Sequence, residues 1–236
     1  MISPAHILTE RLIYISNKLD GIRRMNLAIS GGSSPDILFF LWTGEYRGKI
    51  DWRNINLFWV DERCVNIDHP ESNYGRAYKK FLIKTDITDE NIHRIKGENN
   101  PDKEAENYEK RVKEALGVNR GFDLVILGIG EDGHTSSVFP GQLELFETSR
   151  LYLPSTNPYN GQRRISLTLS GILNSKEISF FIRGSSKLKV IEEIIKRDKE
   201  EPLPAAYIIN RSSNAKIYWN EAPAVAGLDI NSIFVK

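Results

Sequence analysis

Short apolar runs alternate along this chain with longer segments in which apolar residues recur every three or four positions. The short runs are rich in β-branched and aromatic residues and predict buried strands at 25–30, 55–60, 122–127, 178–182 and 216–219. The longer segments predict helices at 4–19, 72–82, 101–116 and 187–196. Because strands and helices alternate, the pattern predicts an α/β fold, a Rossmann-like three-layer structure in which a parallel sheet carries helices on both faces.

Other segments carry a weaker pattern. Short strands are expected at 92–95 and 164–169, a brief run at 151–153 stops at a proline, 203–209 is ambiguous, and 221–227 predicts a terminal helix. The helix at 101–116 has few apolar residues, so we expect it on the surface. No internal repeat, low-complexity tract or linker interrupts the chain, and we expect residues 1–236 to form a single domain.

Composition excludes several classes of protein. The hydrophobic fraction of 40% and the charged fraction of 27% are ordinary for a globular chain, and the net charge of +1 provides no field for nucleic acid or an anionic membrane. No apolar run is long enough to cross a membrane, and Glu10, Arg11 and Lys18 make the first 20 residues unlike a signal peptide. A single cysteine excludes an internal disulfide and a cysteine-rich metal site. We therefore expect a cytoplasmic protein.

The densest group of titratable side chains follows the predicted strand at 122–127. The loop GIGEDGH at 128–134 places Glu131, Asp132 and His134 among three glycines. In open α/β sheets ligands bind beyond the carboxyl ends of the strands, so this loop is a catalytic candidate.

This loop has two other interpretations. Its letters match the dinucleotide-binding pattern GxGxxG, but two carboxylates would then face a pyrophosphate at a cost of several kcal/mol, and Pro140 leaves little room for the helix that follows that pattern. We reject that interpretation. A solvated acidic turn with a satisfied histidine stays open on the evidence of the loop alone.

The segment SGGSSPD at 30–36 has the features of a helix start. We expect Ser34 to be the N-cap, Pro35 to occupy the first helical position and Asp36 to favour the positive end of the helix dipole. The glycine N–H groups and serine hydroxyls before the helix are suited to phosphate. An ordinary strand-to-helix turn is the alternative.

Two further polar segments follow predicted strands, DER at 61–63 and RGSSK at 183–187. Arg63 can bind a phosphate bidentately, and Lys187 can act as a point charge. Each residue alone is more often an ordinary surface charge. Together at one sheet edge, the four segments would bind a phosphorylated small molecule and present a base to it.

These segments have the order and spacing of a known family over nearly the whole chain. The motifs are SGGSSP at 30–35, VDER at 60–63, SN at 72–73, LGIGEDGHTSSVFP at 127–140, RISLTL at 164–169 and GSSK at 184–187. The set resembles the 6-phosphogluconolactonase family, which belongs with the glucosamine-6-phosphate deaminases to a larger sugar-phosphate isomerase/deaminase-like group. Ser34 and Ser166 stand where the family commonly has threonine, and both keep a hydroxyl.

The resemblance implies a cytoplasmic hydrolase of the pentose phosphate pathway that needs no metal and no cofactor. Its substrate would be a small phosphorylated sugar lactone, 6-phospho-D-glucono-1,5-lactone, and its product 6-phospho-D-gluconate. Neither nucleic acid, nor a membrane, nor an obligate protein partner is expected.

The resemblance also implies roles for individual residues. His134 matches the base that activates water, and Asp132 is its expected electrostatic partner. Arg164 matches an arginine near the site, and Asp61 stands where the deaminases keep an active-site acid; the roles of these two stay open. The phosphate-binding positions are Gly32, Ser33, Ser34, Arg63 and Lys187.

The chemistry of the residue types agrees with these roles. A histidine ordinarily titrates near pH 6.5, so it can take a proton from water and return it to a leaving ring oxygen. No GxSxG motif is present, which argues against an acyl-serine route. We expect Cys64 to be a buried apolar residue, and His6, His69 and His93, which lack metal-ligand spacing, to be structural or solvent-facing.

Two rival functions follow from the same residues. One is a sugar-phosphate deaminase or isomerase on the same scaffold, which typically has Asp-Glu-Tyr where this chain has DER and an Asn-Glu stretch after GEDGH. The other is a non-catalytic sugar-phosphate sensor, which would not need His134.

Overall fold

A computed structural model of the protein describes residues 3–118, 120–195, 201–220 and 234–235. The helices are Pro4–Leu19 (α1), Asp36–Thr43 (α2), Asn73–Lys80 (α3), Pro101–Leu116 (α4), Leu169–Leu173 (α5), Leu188–Ile195 (α6) and Pro204–Arg211 (α7). The strands are Met25–Ile29 (β1), Ile55–Trp59 (β2), Asp61–Arg63 (β3), Ile92–His93 (β4), Leu124–Leu127 (β5), Tyr152–Thr156 (β6), Arg163–Leu167 (β7), Ile178–Arg183 (β8), Ala215–Asn220 (β9) and Phe234–Val235 (β10).

A seven-stranded parallel sheet forms the centre, in the order β10-β9-β8-β5-β1-β2-β4, and helices cover both of its faces. Every residue of β1 and β5 is buried, and all of them except Asn26 are apolar, as expected for strands covered on both faces. The predicted α/β architecture is confirmed. From β1 the chain moves outward to β2 and β4, whereas from β5 it moves the other way to β8 and β9, so the strand order reverses between β1 and β5. Ligands bind at such a switch point in open α/β sheets.

The prediction of a single parallel sheet was incomplete. A second, antiparallel sheet of three strands has the order β3-β7-β6, and the predicted loop at 61–63 is its strand β3. Val60 alone separates β2 from β3, so the chain leaves the parallel sheet and enters the other within one residue. Strand partners far apart in sequence leave no trace in a local pattern, which explains the error.

Helix α4 packs against β6 and β7 of the small sheet. Although most of its residues are polar, it buries Tyr108, Val112 and Leu116 on one side. The predicted surface helix is therefore amphipathic and also part of the core.

Several boundaries differ from the predictions. Helix α2 begins at Asp36, with Pro35 at its cap position and no side-chain cap, so Ser34 is not the N-cap. Its place is taken by a backbone turn in which the Asp36 N–H donates to the Ser33 carbonyl at 3.2 Å. By contrast, Ser72 caps α3, and its hydroxyl accepts from the Gly75 N–H at 3.0 Å.

The remaining segments also differ from the predicted bounds or types. Strand β4 has two residues rather than four, helix α6 follows a 3-10 turn at 185–187, and the ambiguous segment at 203–209 is helical. The helix predicted at 221–227 lies outside the described residues. Within the described ranges, no helix has both the length and the apolar character that a membrane crossing requires.

Candidate active site

A cavity of about 200 Å³ opens at the carboxyl ends of β1 and β5, where the strand order reverses. It lies where loops after parallel strands meet one face of the small sheet. Of the residues predicted for the site, only Asp132 does not line it directly. Those that do are Gly32, Ser33, Ser34, Asp61, Arg63, His134, Arg164 and Lys187.

The loop after β5 holds an imidazole and a carboxylate as a pair. His134 Nδ1 lies 2.6 Å from Asp132 Oδ1, and the same oxygen accepts the backbone N–H of His134 at 3.1 Å. A carboxylate at Nδ1 stabilises the tautomer that leaves Nε2 free to accept a proton. Burial raises the pKa of Asp132, but hydrogen bonds from the ring and backbone of His134 outweigh it and lower that pKa to about 2. The carboxylate is therefore ionised at neutral pH.

Gly130 makes this pairing possible. A Cβ at this position would lie 2.1 Å from His134 Nδ1 and 2.5 Å from Asp132 Oδ1, far inside contact distance. The Gly130 N–H also donates to the His134 carbonyl at 2.8 Å, which closes the loop. A glycine is thus required at position 130 by the contact between His134 and Asp132.

The small sheet presents two arginines side by side. Strands β3 and β7 pair so that Arg63 lies opposite Arg164 and Asp61 lies opposite Ser166. Side chains two residues apart share a face of a strand, so all four point to the same side of the sheet. Like charges directly opposite each other destabilise a sheet unless an anion compensates them. This arrangement is suited to a dianion such as phosphate.

Both guanidinium groups are only partly satisfied. Arg164 is 7% exposed, and burial lowers its pKa, an effect that Asp61 opposes. The Nε atoms of Arg63 and Arg164 are buried without a hydrogen-bond partner among the described residues. Buried donors of this kind are costly unless a ligand or water accepts from them.

Lys187 supplies a third cation from the 3-10 turn after β8. Burial lowers its pKa, whereas the nearby carboxylates of Glu131 and Asp132 raise it. In the part of the chain that the structure describes, neither Lys187 nor the two arginines form a salt bridge, while arginines elsewhere in the fold pair with carboxylates. Three cations that line one cavity and form no salt bridge with any described residue indicate an anionic ligand.

The loop at 30–35 forms the floor of the cavity between β1 and α2. A Cβ on Gly31 would lie 1.9 Å from Asn73 Oδ1, so a glycine is required for this loop to pass α3. Asp36, at the start of α2, is neutralised by Arg76 and by Lys80, the latter at 2.6 Å. The glycines and serines remain available to an anion.

The sequence analysis missed a group of buried serines and Asn73. Ser137 Oγ donates to Asp61 Oδ2 at 2.6 Å, and the backbone N–H of Ser137 donates to Ser166 Oγ at 2.9 Å. Ser136, the only described non-glycine residue with positive φ (55°), bonds Ser166 through its hydroxyl at 2.8 Å. Asn73 Nδ2 donates to the Asp61 carbonyl at 2.8 Å. These contacts fix Asp61 and join the loop after β5 to the small sheet.

Glu62 was also missed, although it lies in the DER motif. It is 2% exposed on the face of β3 opposite Arg63. Its carboxylate accepts the N–H groups of Asn73 (2.7 Å) and Tyr74 (2.8 Å) at the start of α3. Burial raises the pKa of Glu62 to about 7, although these hydrogen bonds act to lower it. Glu62 therefore ties the arginine-bearing strand to a helix N-terminus. The only local signal was Ser72-Asn73 opening a helix.

The remaining candidates do not take part in the cavity. Cys64 is half-buried, and burial raises the pKa of its thiol to about 11, which makes it a poor nucleophile at neutral pH. His6 bonds Ser3 at 2.7 Å, and His93 packs on Phe58 with ring centroids 4.5 Å apart. No group of three or more potential metal ligands occurs in the described segments.

Comparisons with known proteins agree with this geometry. The family model described as glucosamine-6-phosphate isomerases/6-phosphogluconolactonase matches residues 5–219. A 6-phosphogluconolactonase of Haemophilus influenzae is 38% identical over 200 residues, which cover 84% of this chain and 85% of that protein. One from Treponema pallidum is 35% identical over 171 residues, or 71% of each chain.

A solved structure gives the same result. The crystal structure of 6-phosphogluconolactonase from Thermotoga maritima superposes with a TM-score of 0.78 at 27% identity, covering 93% of this chain and 95% of that one. The sequence match spans the loops that line the cavity, and the structural match covers the fold that brings them together. This chain therefore belongs to the family of glucosamine-6-phosphate isomerases and 6-phosphogluconolactonases.

Proposed function

We propose that this protein hydrolyses 6-phospho-D-glucono-1,5-lactone to 6-phospho-D-gluconate. One observation carries the proposal: an imidazole paired with an ionised carboxylate shares a cavity with three cations that form no salt bridge among the described residues. The imidazole is suited to proton transfer, and the cations are suited to a phosphate. Relatives named 6-phosphogluconolactonase support the same substrate.

In the proposed reaction His134 Nε2 accepts a proton from water as the water oxygen bonds to the lactone carbonyl carbon. The carbonyl electrons move onto its oxygen, giving a tetrahedral oxyanion. When this intermediate collapses, the bond to the ring oxygen breaks, and the imidazolium returns the proton to that oxygen. Asp132 stabilises the imidazolium between the two steps. Water and lactone thereby give the open-chain acid, and no metal or organic cofactor is required.

The phosphate is proposed to bind at the other side of the cavity. Arg63 and Arg164 lie opposite each other on neighbouring strands, and Lys187 approaches from the turn after β8. Gly32, Ser33 and Ser34 add backbone and hydroxyl donors. Asp61, held by Ser137 and Asn73 beside Arg164, is proposed to orient that arginine or a sugar hydroxyl.

The proposal also covers the domain organisation, location and partners of the protein. We propose that residues 1–236 form one domain, which is supported by a hydrophobic core shared by both sheets. A cytoplasmic location and action without nucleic acid, membrane or obligate protein partner are proposed with it, on the balanced charge of the chain.

The test is acid release from freshly generated 6-phosphogluconolactone, measured against its spontaneous hydrolysis. We expect the purified protein to accelerate acid release and to form 6-phosphogluconate. Release of ammonia from glucosamine 6-phosphate would instead support the deaminase rival. Binding of sugar phosphates without acceleration of either reaction would support the sensor.

A further inference from the structure

Tyr159, on the β6–β7 hairpin, packs against Phe139, which itself packs on His134. Residues 157–162 join the two strands in a tight turn, in which Asn157 N–H donates to the Gln162 carbonyl and Gly161 N–H donates to the Asn157 carbonyl, both at 2.9 Å. Within the turn, the Tyr159 N–H donates to Asn157 Oδ1 at 2.9 Å. The backbone that carries Tyr159 is therefore well defined, although the residue is 68% exposed.

The tyrosine ring reaches the pair through an aromatic contact. Tyr159 meets the Phe139 ring edge-on, with centroids 6.0 Å apart and planes at 82°. Phe139 in turn packs on the His134 ring at 4.6 Å. Edge-to-face packing of this kind is favourable and directional, so it fixes the orientation of the Tyr159 ring although the residue stays largely exposed.

The two oxygens of the Asp132 carboxylate differ in their hydrogen bonds. Oδ1 accepts both the ring and the backbone N–H of His134. Oδ2 is buried without a hydrogen-bond partner among the described residues. The Tyr159 phenol nevertheless lies near enough for the carboxylate to raise the pKa of Tyr159. A buried carboxylate oxygen without a donor and a nearby hydroxyl are complementary.

We propose that Tyr159 donates its hydroxyl to Oδ2 of Asp132 and so fixes the plane of the carboxylate that orients His134. Tyr159 is then a positioning residue, because it acts through Asp132 and not on the substrate. Where it concerns the rate, the inference rests on the proposed lactone hydrolysis. The other charged groups near Asp132 are Glu131 and Lys187, and neither donates to Oδ2.

Two consequences separate this role from a structural one. Burial raises the pKa of Asp132, whereas interactions with His134 and, to a smaller extent, with Tyr159 lower it to about 2, so losing the phenol hydroxyl should move the Asp132 titration to higher pH. With one donor fewer, the Asp132 carboxylate keeps more of its negative charge on the side of His134 and stabilises the protonated ring more strongly. The acid limb of the kcat–pH profile should therefore move to higher pH. The value of kcat should fall about 3- to 10-fold, the factor that a net hydrogen bond corresponds to, with KM unchanged.

The experiment compares Tyr159→Phe with Tyr78→Phe, which removes a hydroxyl from a tyrosine of α3 that is 46% exposed and does not line the cavity. The Asp132 carboxyl is titrated by carbon-13 NMR without ligand, and kcat and KM are measured across pH. We expect both shifts in Tyr159→Phe and neither in Tyr78→Phe.

The inference is overturned if Tyr159→Phe titrates and turns over like the unmodified protein, or if only its KM changes, which would mean that Tyr159 contacts substrate. Because the NMR titration needs no substrate, it tests the inference even if the wild-type protein fails to hydrolyse the lactone. That failure would overturn the proposed function alone.

Discussion

The two sides of the cavity are built differently. On one side, the loop after β5 bends through glycines and holds one imidazole against one carboxylate at 2.6 Å. On the other, the paired strands β3 and β7 hold two guanidinium groups in register, with no local carboxylate in a salt bridge to either among the described residues.

The two sides differ because proton transfer and phosphate binding require different geometries. Proton transfer requires one nitrogen at one position and one tautomer, and a glycine loop allows the close contacts that fix them. Binding a phosphate requires charge spread over several donors, and a β-ladder supplies these at regular spacing. We therefore expect changes on the loop side to reduce kcat and changes on the strand side to raise KM.

The largest effect should come from His134→Ala. Loss of the general base should lower kcat by about 10²- to 10⁴-fold, while KM changes little because the phosphate contacts remain. Initial rates, corrected for spontaneous lactone hydrolysis, measure this. His6→Ala is the control, since His6 lies at the start of α1 and does not line the cavity. A near-normal kcat in His134→Ala would remove His134 from the mechanism.

Arg164→Ala should have the next largest effect, and this effect should be on KM rather than on kcat. Losing the buried guanidinium that is proposed to bind the phosphate should raise KM by about 10- to 100-fold, because hydrogen bonds to charged groups contribute about 1.5–3 kcal/mol. Arg164→Lys should restore little, since an ammonium cannot make the planar, bidentate contact.

Arg163→Ala is the matched control for Arg164. Arg163 is the preceding residue of β7, is exposed, and pairs with Asp102 at 3.5 Å. A loss of kcat in Arg164→Ala without a change in KM would show that the two sides are not divided as proposed.

Lys187→Ala should have a smaller effect, again on KM. The lysine contributes a single point charge from a turn, so we expect KM to rise by about 3- to 10-fold. The KM of the unmodified protein should also rise with added salt, and less steeply in Lys187→Ala, because salt screens this attraction. Parallel salt dependence in the two proteins would argue against a phosphate contact.

His93 on the edge strand β4 should leave the rate unchanged and affect stability alone. Burial, with a smaller effect of Arg111, lowers the pKa of His93 to about 4. The folded protein therefore binds fewer protons than the unfolded chain between pH 4 and 6.5. The free energy of unfolding should fall by about 1–3 kcal/mol as pH falls through that range, after allowance for partial solvent screening.

Denaturant unfolding of the wild type and His93→Gln at several pH values checks this. Glu62 contributes the opposite slope, because its raised pKa makes the folded protein bind more protons between pH 4.5 and 7. The difference between the two proteins isolates His93. A difference that does not depend on pH would mean that His93 is not buried in its neutral form.

Much of the site follows from local pattern. Short apolar runs predict β1, β2, β5, β8 and β9, and a strand that ends in Gly-Ile-Gly predicts where His134 lies. The elements that were wrong or missed depend on partners far along the chain. Ser34 is not a cap, because the turn at Ser33 closes against the backbone instead, and Asn73 and Ser137 matter only because both reach Asp61.

The sequence by itself determined the parallel strands, the glycine loops at their ends and the residue types that phosphate binding and proton transfer need. These depend on burial and on backbone freedom, which are local properties of each segment. Tertiary structure alone decided that Arg63 lies opposite Arg164 in a second sheet and that Tyr159 packs on Phe139, the neighbour of His134. Pairing between strands a hundred residues apart depends on how the whole core closes, and no short stretch of sequence records it.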